Sequence, residues 1–213
     1  NVAIGKDCML ANNASNNVAI GNLALTANTT GTYLVAIGNE SLKANTTANS
    51  NVGIGPWSLL ANTTGADNIG IGHDALKANT TGTRNIAIGS AAYTASDTES
   101  NNTAIGYQAM TTNTAGGENN VAVGNIAMTA LTSGDSNVAV GYRAGVLMNT
   151  GEYNVLVGKE AGDNITSGDL NVMIGKNAKP SAATTSEIVI GTATGKGDNT
   201  AYIYPGTGGA VYA

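Results

Sequence analysis

The sequence predicts an all-β protein, a parallel β-roll or β-solenoid of about twelve coils with 16–18 residues each. The main observation is that the phrase Asn-Val-Ala-Ile-Gly at residues 1–5 recurs along the 213-residue chain at a nearly constant interval. The three residues before a closing glycine are small or β-branched in nearly all copies, and the residues after it contain turn-forming Asn, Thr and Gly. The closing glycines, called phrase glycines below, are Gly5, Gly21, Gly38, Gly55, Gly72, Gly89, Gly106, Gly124, Gly141, Gly158, Gly175 and Gly191.

Each phrase predicts one short strand. Val, Ile or, once, Thr occupies the position three before the phrase glycine, and Ile or Val always occupies the position one before it. Residues two apart on a strand point to the same face, so these two columns are expected to line the interior of the coil.

The position between them, two before the phrase glycine, is also apolar, although it would be polar if that face met water. We call it the alanine column. A strand that is apolar on both faces is expected to be buried on both, so this column is predicted to pack against another chain. The predicted interface residues are Ala19, Ala36, Ala87, Ala104, Ala122, Ala139, Leu156, Met173 and Val189.

A second short strand is expected after each phrase glycine. Its Leu, Met or Tyr residues, four positions after the glycine, would close the core opposite the first strand, and the small residue before each would be a spacer. By this interpretation the single cysteine, Cys8, is a buried spacer. Near the C-terminus the large residue becomes Gly145 and then Gly162 while the alanine column gains volume, which indicates that bulk moves from the coil interior to the interchain face.

The turns recur as Ala-Asn-Thr-Thr, and stacked Asn side chains are expected to form hydrogen-bonded ladders between coils. The repeat predicts a β-roll domain over residues 1–191, followed by a C-terminal cap or the start of a neck over 192–213.

Composition narrows the possible partners. The net charge is −5 and basic residues form no stripe, which argues against a nucleic-acid partner. No apolar stretch approaches the roughly 20 residues of a membrane span, so no membrane insertion is expected. One cysteine cannot form an intrachain disulfide.

The sequence predicts no catalytic, cofactor-binding or metal-binding residue, no cofactor, and therefore no enzyme. The single histidine, His73, lies in a variable column, and the acidic residues form no regular pair of the kind a glycosidase needs. Aromatic and basic residues of the exposed columns are weak candidates for receptor binding, because aromatic rings on a polar surface can stack on sugars. These candidates are Trp57, His73, Tyr107, Tyr142 and Arg143.

The phrase Asn-Val-Ala-Ile-Gly, followed by a small residue and Leu, resembles the head repeat of trimeric autotransporter adhesins of the YadA type. The longer phrase, which ends in Asn-Thr-X-Gly, is similar to repeats of phage tail-fibre proteins. Both resemblances cover about residues 1–191. They imply a left-handed roll, a homotrimer, and a place in a virion tail fibre or at the cell surface.

The expected function is a trimeric segment of a phage tail fibre or phage-like particle, acting as a structural shaft, in host-surface receptor binding and adhesion, or both. Expected partners are two further copies, a host-surface glycan or protein, and other tail-fibre or baseplate proteins. The alternatives are the head of a bacterial trimeric adhesin and a structural extracellular filament. Less favoured are an ice-binding solenoid that uses the Thr pairs and a polysaccharide depolymerase with carboxylates between chains.

Overall fold

In the computed structural model the chain is a parallel β-solenoid, as the repeat predicts. The structure describes residues 1–112, 115–181, 185–192, 194–195, 197 and 199–203. Within these ranges, thirteen strands of three residues each form one sheet in which every strand pairs with its sequence neighbours. The strands are β1 Val2–Ile4, β2 Val18–Ile20, β3 Val35–Ile37, β4 Val52–Ile54, β5 Ile69–Ile71, β6 Ile86–Ile88, β7 Thr103–Ile105, β8 Val121–Val123, β9 Val138–Val140, β10 Val155–Val157, β11 Val172–Ile174, β12 Ile188–Ile190 and β13 Ala201–Ile203.

All strand pairs are parallel and in register, so residues of one column stack on each other from coil to coil. Ala104, for example, pairs with Ala87 on one side and with Ala122 on the other. At a strand spacing of ~4.8 Å, twelve steps give a stack about 58 Å long. No helix capable of crossing a membrane occurs in the part of the chain that the structure describes.

The predicted orientation of the strands is wrong. The alanine column points into the coil of its own chain, where Ala36, Ala87 and Ala104 are 0% exposed and belong to the core. The Val and Ile columns point outward. The predicted interface residues therefore lie inside one chain; Ala19, Ala36, Ala87, Ala104, Ala122, Ala139, Leu156, Met173 and Val189 are all fully buried there.

The reason for the inversion is the narrow interior of the coil. The space opposite each strand is already filled by the large residue four positions after the phrase glycine, such as Leu42 or Leu59. Gly53 shows how little room remains, because a Cβ added there would lie 2.6 Å from the Ser41 hydroxyl oxygen and 3.3 Å from Cγ of Leu42. This coil therefore takes glycine where most others take a buried alanine, and a column of Val or Ile would overfill the interior beside the leucines.

A turn segment takes the place of the expected second strand. Residues two and four positions after the phrase glycine have positive φ, for example Leu23 at 57° and Leu25 at 53°. Their amides point in opposite directions along the stack. The Leu23 amide donates to the Lys6 carbonyl of the preceding coil at 2.9 Å, and the Leu25 amide donates to the Ser41 carbonyl of the following coil at 3.0 Å. The segment thus pairs with both neighbours without adopting a β conformation.

The phrase glycine is required by the close approach of successive coils. Gly38 has a φ of 133°, which L side chains rarely adopt, and a Cβ built on it would lie 2.6 Å from the carbonyl carbon and oxygen of Gly55. Because each phrase glycine meets the next in this way, a side chain at one corner would push two coils apart.

Two ladders of buried asparagine side chains confirm the expected stacking. In the phrase ladder, Oδ1 of Asn51 accepts from the Asn68 amide at 2.8 Å, and Oδ1 of Asn68 accepts from the Asn85 amide at 2.9 Å. In the turn ladder, Nδ2 of Asn62 donates to Oδ1 of Asn45 at 3.0 Å, and Nδ2 of Asn79 donates to Oδ1 of Asn62 at 2.7 Å. The ladders satisfy buried polar groups at both corners of the turn region.

The interior changes along the chain. Residues 21–99, the polar-cored half, combine a leucine column with the asparagines of the turn ladder. Residues 128–174, the apolar-cored half, replace those asparagines by Leu131, Met148 and Ile165, all fully buried. There Gly145 and Gly162 replace the leucines. The side chain of Leu156 fills the space they leave, since a Cβ at Gly145 would lie 2.8 Å from Leu156 Cδ1 and one at Gly162 would lie 2.6 Å from its Cδ2. Bulk therefore moves from one wall of the same core to the other, and not to an interchain face as predicted.

The solenoid continues past the predicted boundary at residue 191. Strand β13 pairs with β12 in the same parallel register. The buried Glu187 stands where the phrase ladder would have another asparagine, and its amide donates to Oδ1 of Asn171 at 3.0 Å. Its carboxylate accepts from the amides of Ser181 and Gly197, both at 3.0 Å. The rest of the predicted cap or neck, residues 204–213, lies outside the described residues.

Candidate assembly and binding surfaces

The outward-facing Val and Ile columns form one apolar surface, here called the outer strand face. None of its residues in β1–β12 is buried; exposure is 37% at Ile88, 37% at Val140 and 38% at Ile174, and it rises to 58% at Ile4 in the first strand. The surface consists of Val2, Ile4, Val18, Ile20, Val35, Ile37, Val52, Ile54, Ile69, Ile71, Ile86, Ile88, Thr103, Ile105, Val121, Val123, Val138, Val140, Val155, Val157, Val172, Ile174, Ile188 and Ile190.

The outer strand face is unusual for a parallel sheet, which is normally covered on both faces. Its two columns are in register over twelve strands, so the apolar surface is continuous along the stack. Apart from Thr103, every residue is an aliphatic β-branched one. A contiguous exposed apolar surface of this extent is typical of a protein interaction site.

On a different side of the coil, the structure brings two of the receptor candidates together. The rings of Trp57 and His73 meet edge to face, with centroids 5.0 Å apart and an interplanar angle of 87°. The Lys77 ammonium lies over the Trp57 ring, 5.5 Å from its centroid. Asp74 holds both neighbours, since its carboxylate lies 3.1 Å from Nδ1 of His73 and 2.9 Å from Nζ of Lys77. We call these four residues the Trp57 cluster.

The other receptor candidates are not part of this cluster. Tyr142 is exposed, and the Lys159 ammonium lies 5.8 Å from the centroid of its ring. Tyr107 is exposed on another coil, where its amide donates to Oδ1 of Asn125 at 3.1 Å. The Arg143 amide donates to the Asn125 carbonyl at 3.0 Å, which places Arg143 one coil beyond Asn125.

Sequence reasoning missed Asp74 and Lys77. Residues separated by 17 positions stack on neighbouring coils, so Asp74 follows Trp57 in one column and Lys77 follows Leu60 in another. The pairs Glu40–Lys43 and Asp74–Lys77 have the same spacing of three residues. Reading these columns together would have placed a charged pair on the coil after Trp57 and another on the coil before it.

An open groove of about 460 Å³ runs beside the Trp57 cluster. Its lining includes a column of small residues, Ala27, Ala44 and Ala61, and the longer side chains of Lys43 and Leu60. The groove adjoins the cluster through the backbone, because the Ala61 amide donates to the Lys77 carbonyl at 3.0 Å.

The Thr pairs do not form the two-column array that ice binding would use. The first Thr of each pair is engaged internally. For example, Oγ1 of Thr29 donates to the Thr46 carbonyl at 3.0 Å, and Oγ1 of Thr63 donates to the Thr80 carbonyl at 3.0 Å. The second is exposed, which leaves single-file hydroxyls on the turn at Thr30, Thr47, Thr64 and Thr81.

Cys8 occupies the spacer column, as predicted, although it is only partly buried because it lies in the first coil. Burial raises the pKa of its thiol. Sγ lies 3.2 Å from the Ala19 carbonyl oxygen, to which the thiol donates. Both features favour the protonated, unreactive form.

Comparison of the chain with protein-family models, with curated proteins and with solved structures found no match.

Proposed function

We propose that this chain is the subunit of a homotrimeric fibre segment of a phage tail fibre or phage-like particle, where it acts as a shaft and attaches the particle to the host surface. The observation that carries the proposal is the outer strand face, which presents aliphatic side chains along all of β1–β12. Leaving such a surface in water is costly, at roughly 25 cal/mol for each Å² of apolar area that could be buried.

A second copy of the chain is the occupant that best fits this face. The outer strand face repeats at each coil, stays in register and contains no charged residue, so the same face on another copy can match it coil by coil. Parallel copies around a common axis would bury the outer strand face of every copy at once and give a closed symmetric assembly. The number three comes from the resemblance of the repeat to trimeric adhesin heads and tail fibres.

The rest of the molecule suits a rod. Twelve in-register strand pairs link each coil to the next, the phrase ladder adds bonds in both halves and the turn ladder adds them in the polar-cored half, so stiffness follows from repetition. Lengthening such a rod needs only more coils. A shaft that spans the distance between a particle and a host surface needs this property. Because the proposed role is that of a tail fibre, the proposed location is the virion.

The test replaces two exposed residues of the outer strand face by lysine, Ile88→Lys together with Val140→Lys, with Thr81→Lys as the control. Thr81 is exposed on the turn, away from the face. The mass of one chain is 21.1 kDa. The unchanged chain and the control are expected to sediment as trimers, at three times this mass, and the double variant as a monomer. Buried lysines without partners would disfavour the trimer, but the face is open in the single chain, so the strand content by circular dichroism should persist.

A monomeric unchanged chain would contradict the proposal, and so would a double variant that remains trimeric. Association with a particle is tested separately, by detecting the chain in purified virions or phage-like particles with an antibody.

A further inference from the structure

We propose that the Trp57 cluster and the adjoining groove form a binding site for a neutral polysaccharide that lies along the side of the solenoid. This inference deepens the attachment role proposed above and rests on it for its biological meaning. The site itself belongs to a single chain and lies outside the outer strand face.

The first argument is the preorganised aromatic ring. Trp57 is half-buried, and the rings and charges around it are held in place by one carboxylate, since Asp74 contacts both His73 and Lys77. Oδ1 of Asp74 is inaccessible to solvent and has no well-aligned hydrogen bond, although Nζ of Lys77 lies 2.9 Å away. The neighbours that contact the Trp57 ring are thus held before a ligand arrives, which lowers the entropy that is lost when a ligand stacks on the ring.

The second argument concerns the electrostatics of the ring face. The Lys77 ammonium already lies over the Trp57 ring, so this face accepts positively polarised groups. The C–H groups on the apolar side of a pyranose ring carry such polarisation and are flat enough to cover an indole. The Lys77 ammonium has three donors, so it can keep its contact with Asp74 and still donate to a sugar hydroxyl beside the ring.

The third argument is the balance of charge. Lys43 lies 3.1 Å from the Glu40 carboxylate, and Lys77 lies 2.9 Å from that of Asp74. Each lysine thus has its own carboxylate, and the surface presents donors and acceptors without a net excess of either sign. Such a surface suits the hydroxyls of a neutral sugar, whereas a sulfated or carboxylated glycan would require unpaired cations.

The fourth argument is the shape of the groove. Its volume of about 460 Å³ lies within the range of small-molecule sites. The methyl groups of Ala27, Ala44 and Ala61 repeat once per coil, at a spacing of ~4.8 Å that is comparable with the length of one pyranose ring. A linear polysaccharide could therefore place successive rings over successive coils. Further along the same column, Thr112 and Leu147 replace alanine, which confines the flat floor to the polar-cored half.

Trp57 is the only tryptophan of the chain, so its fluorescence reports directly on the site. The test titrates the intact protein with maltohexaose, cellohexaose and chitohexaose, and with a heparin hexasaccharide as the anionic comparison. We expect at least one neutral hexasaccharide to shift the emission saturably and to bind at least tenfold more tightly than heparin. The proposal is overturned if none of the three gives a saturable shift, or if heparin binds as tightly.

Variants are then compared by calorimetry. Trp57→Ala is expected to weaken binding at least tenfold, and Leu60→Glu, which places a charge on the groove wall, to weaken it by a similar factor. Tyr33→Ala removes an aromatic residue that is 65% exposed elsewhere on the coil, and it should change the dissociation constant less than twofold. Retained binding in both site variants would overturn the assignment. Sedimentation of Trp57→Ala at the mass of the unchanged chain keeps this result separate from the assembly proposal.

Discussion

The polar-cored and apolar-cored halves show two ways of filling the same coil. In the polar-cored half, a large residue such as Leu59 fills the interior from the turn segment, the strand contributes an alanine or glycine, and an asparagine ladder closes the corner. In the apolar-cored half, Leu156 fills the interior from the strand, the turn segment contributes Gly145 and Gly162, and aliphatic residues close the corner. The backbone period is nearly the same in both. Total interior volume, more than the identity of any column, is what the coil conserves.

The transition between the halves is also visible in single residues. Tyr93 stands in the leucine column, is fully buried, and its hydroxyl accepts from Nδ2 of Asn102 at 2.5 Å. After Asn79 the turn ladder is continued by Ser96, whose hydroxyl donates to the Glu99 carboxylate at 3.2 Å. That carboxylate, from a side chain only 3% exposed, also accepts from the amides of Asp97 and Thr98. Glu99 thereby satisfies the donors of this corner, whereas Oδ1 of Asn79, at the end of the ladder, is buried without a hydrogen bond.

The largest effect is expected from Asn62→Leu, which gives the polar-cored half a residue that the same column tolerates at Leu131. In its own ladder Asn62 donates to Asn45 and to the Gly65 carbonyl, and it accepts from Asn79. Leucine would remove all three bonds and leave Oδ1 of Asn45 unsatisfied, whereas the Gly65 carbonyl keeps Asn51 and Nδ2 of Asn79 keeps the Gly82 carbonyl. The unsatisfied oxygen costs about 1–3 kcal/mol and each of the other two lost bonds about 0.5–1.5 kcal/mol. Native-state hydrogen exchange of the β4 and β5 amides should report a loss of about 3 kcal/mol or more.

Thr64→Leu is the matched control for this substitution, because Thr64 is exposed on the same turn. It should leave the exchange rates nearly unchanged. A loss below about 1 kcal/mol in Asn62→Leu would contradict this expectation. It would mean that an aliphatic corner residue can replace an asparagine while the surrounding residues stay unchanged.

A second effect tests the exchange of volume between the two walls. Leu156→Ala should cost about 2–5 kcal/mol through the cavity it leaves, and Gly145→Leu about 1–3 kcal/mol through overpacking against Leu156. The φ of 59° at Gly145 is not the obstacle, because Leu25 and Leu42 have φ of 53° and 50° in the same column. Combining the two changes should restore part of the loss.

This double-mutant cycle is read from hydrogen exchange of the β9–β11 amides. A coupling energy of about 0.5–3 kcal/mol in the compensating direction is expected for residues in contact. Simple additivity would show that the two columns do not share one space.

The smallest effect is expected from Thr63→Val, which removes the hydroxyl that donates to the Thr80 carbonyl at 3.0 Å but keeps the side-chain shape. One hydrogen bond is worth about 0.5–1.5 kcal/mol, and the exchange of neighbouring turn amides should rise accordingly. In the exposed Thr64, the same substitution should have no measurable effect. Equal effects at the two positions would argue against a structural role for the first Thr of each pair.

Much of the fold follows from the sequence because the repeat reports the same environment many times. The strands, the large residues opposite them and the asparagine ladders were all predicted from columns. The direction of the strand side chains was predicted wrongly. Val, Ala and Ile are all apolar, so neither face of the strand is marked by polar residues as the one that meets water. The informative signal was that two columns change together: Leu156 stands where earlier coils have alanine, and Gly145 stands where they have leucine. This paired change indicates that the alanine column and the leucine column share one interior.

For the candidate site, the sequence pointed to Trp57 and His73 separately. Their contact depends on the stacking of coils, which the 17-residue spacing predicts only to within a residue. The role of Asp74 in holding His73 and Lys77 depends on side-chain geometry, which no column reveals. The outer strand face was found only once the side-chain direction was known.

The most direct test of the assembly is cross-linking between equivalent residues on the outer strand face. Thr103 is the polar residue of that face, so Thr103→Cys in a Cys8→Ala background disturbs it little. In a parallel in-register assembly, the introduced thiols of different copies face each other across packed sheets, which lie about 10 Å apart, and a bis-maleimide of similar span should link two chains covalently. Thr81→Cys in the same background should remain single chains on a denaturing gel. Efficient linking at position 103 alone is the expected result, and its absence at position 103 would contradict self-assembly through the outer strand face.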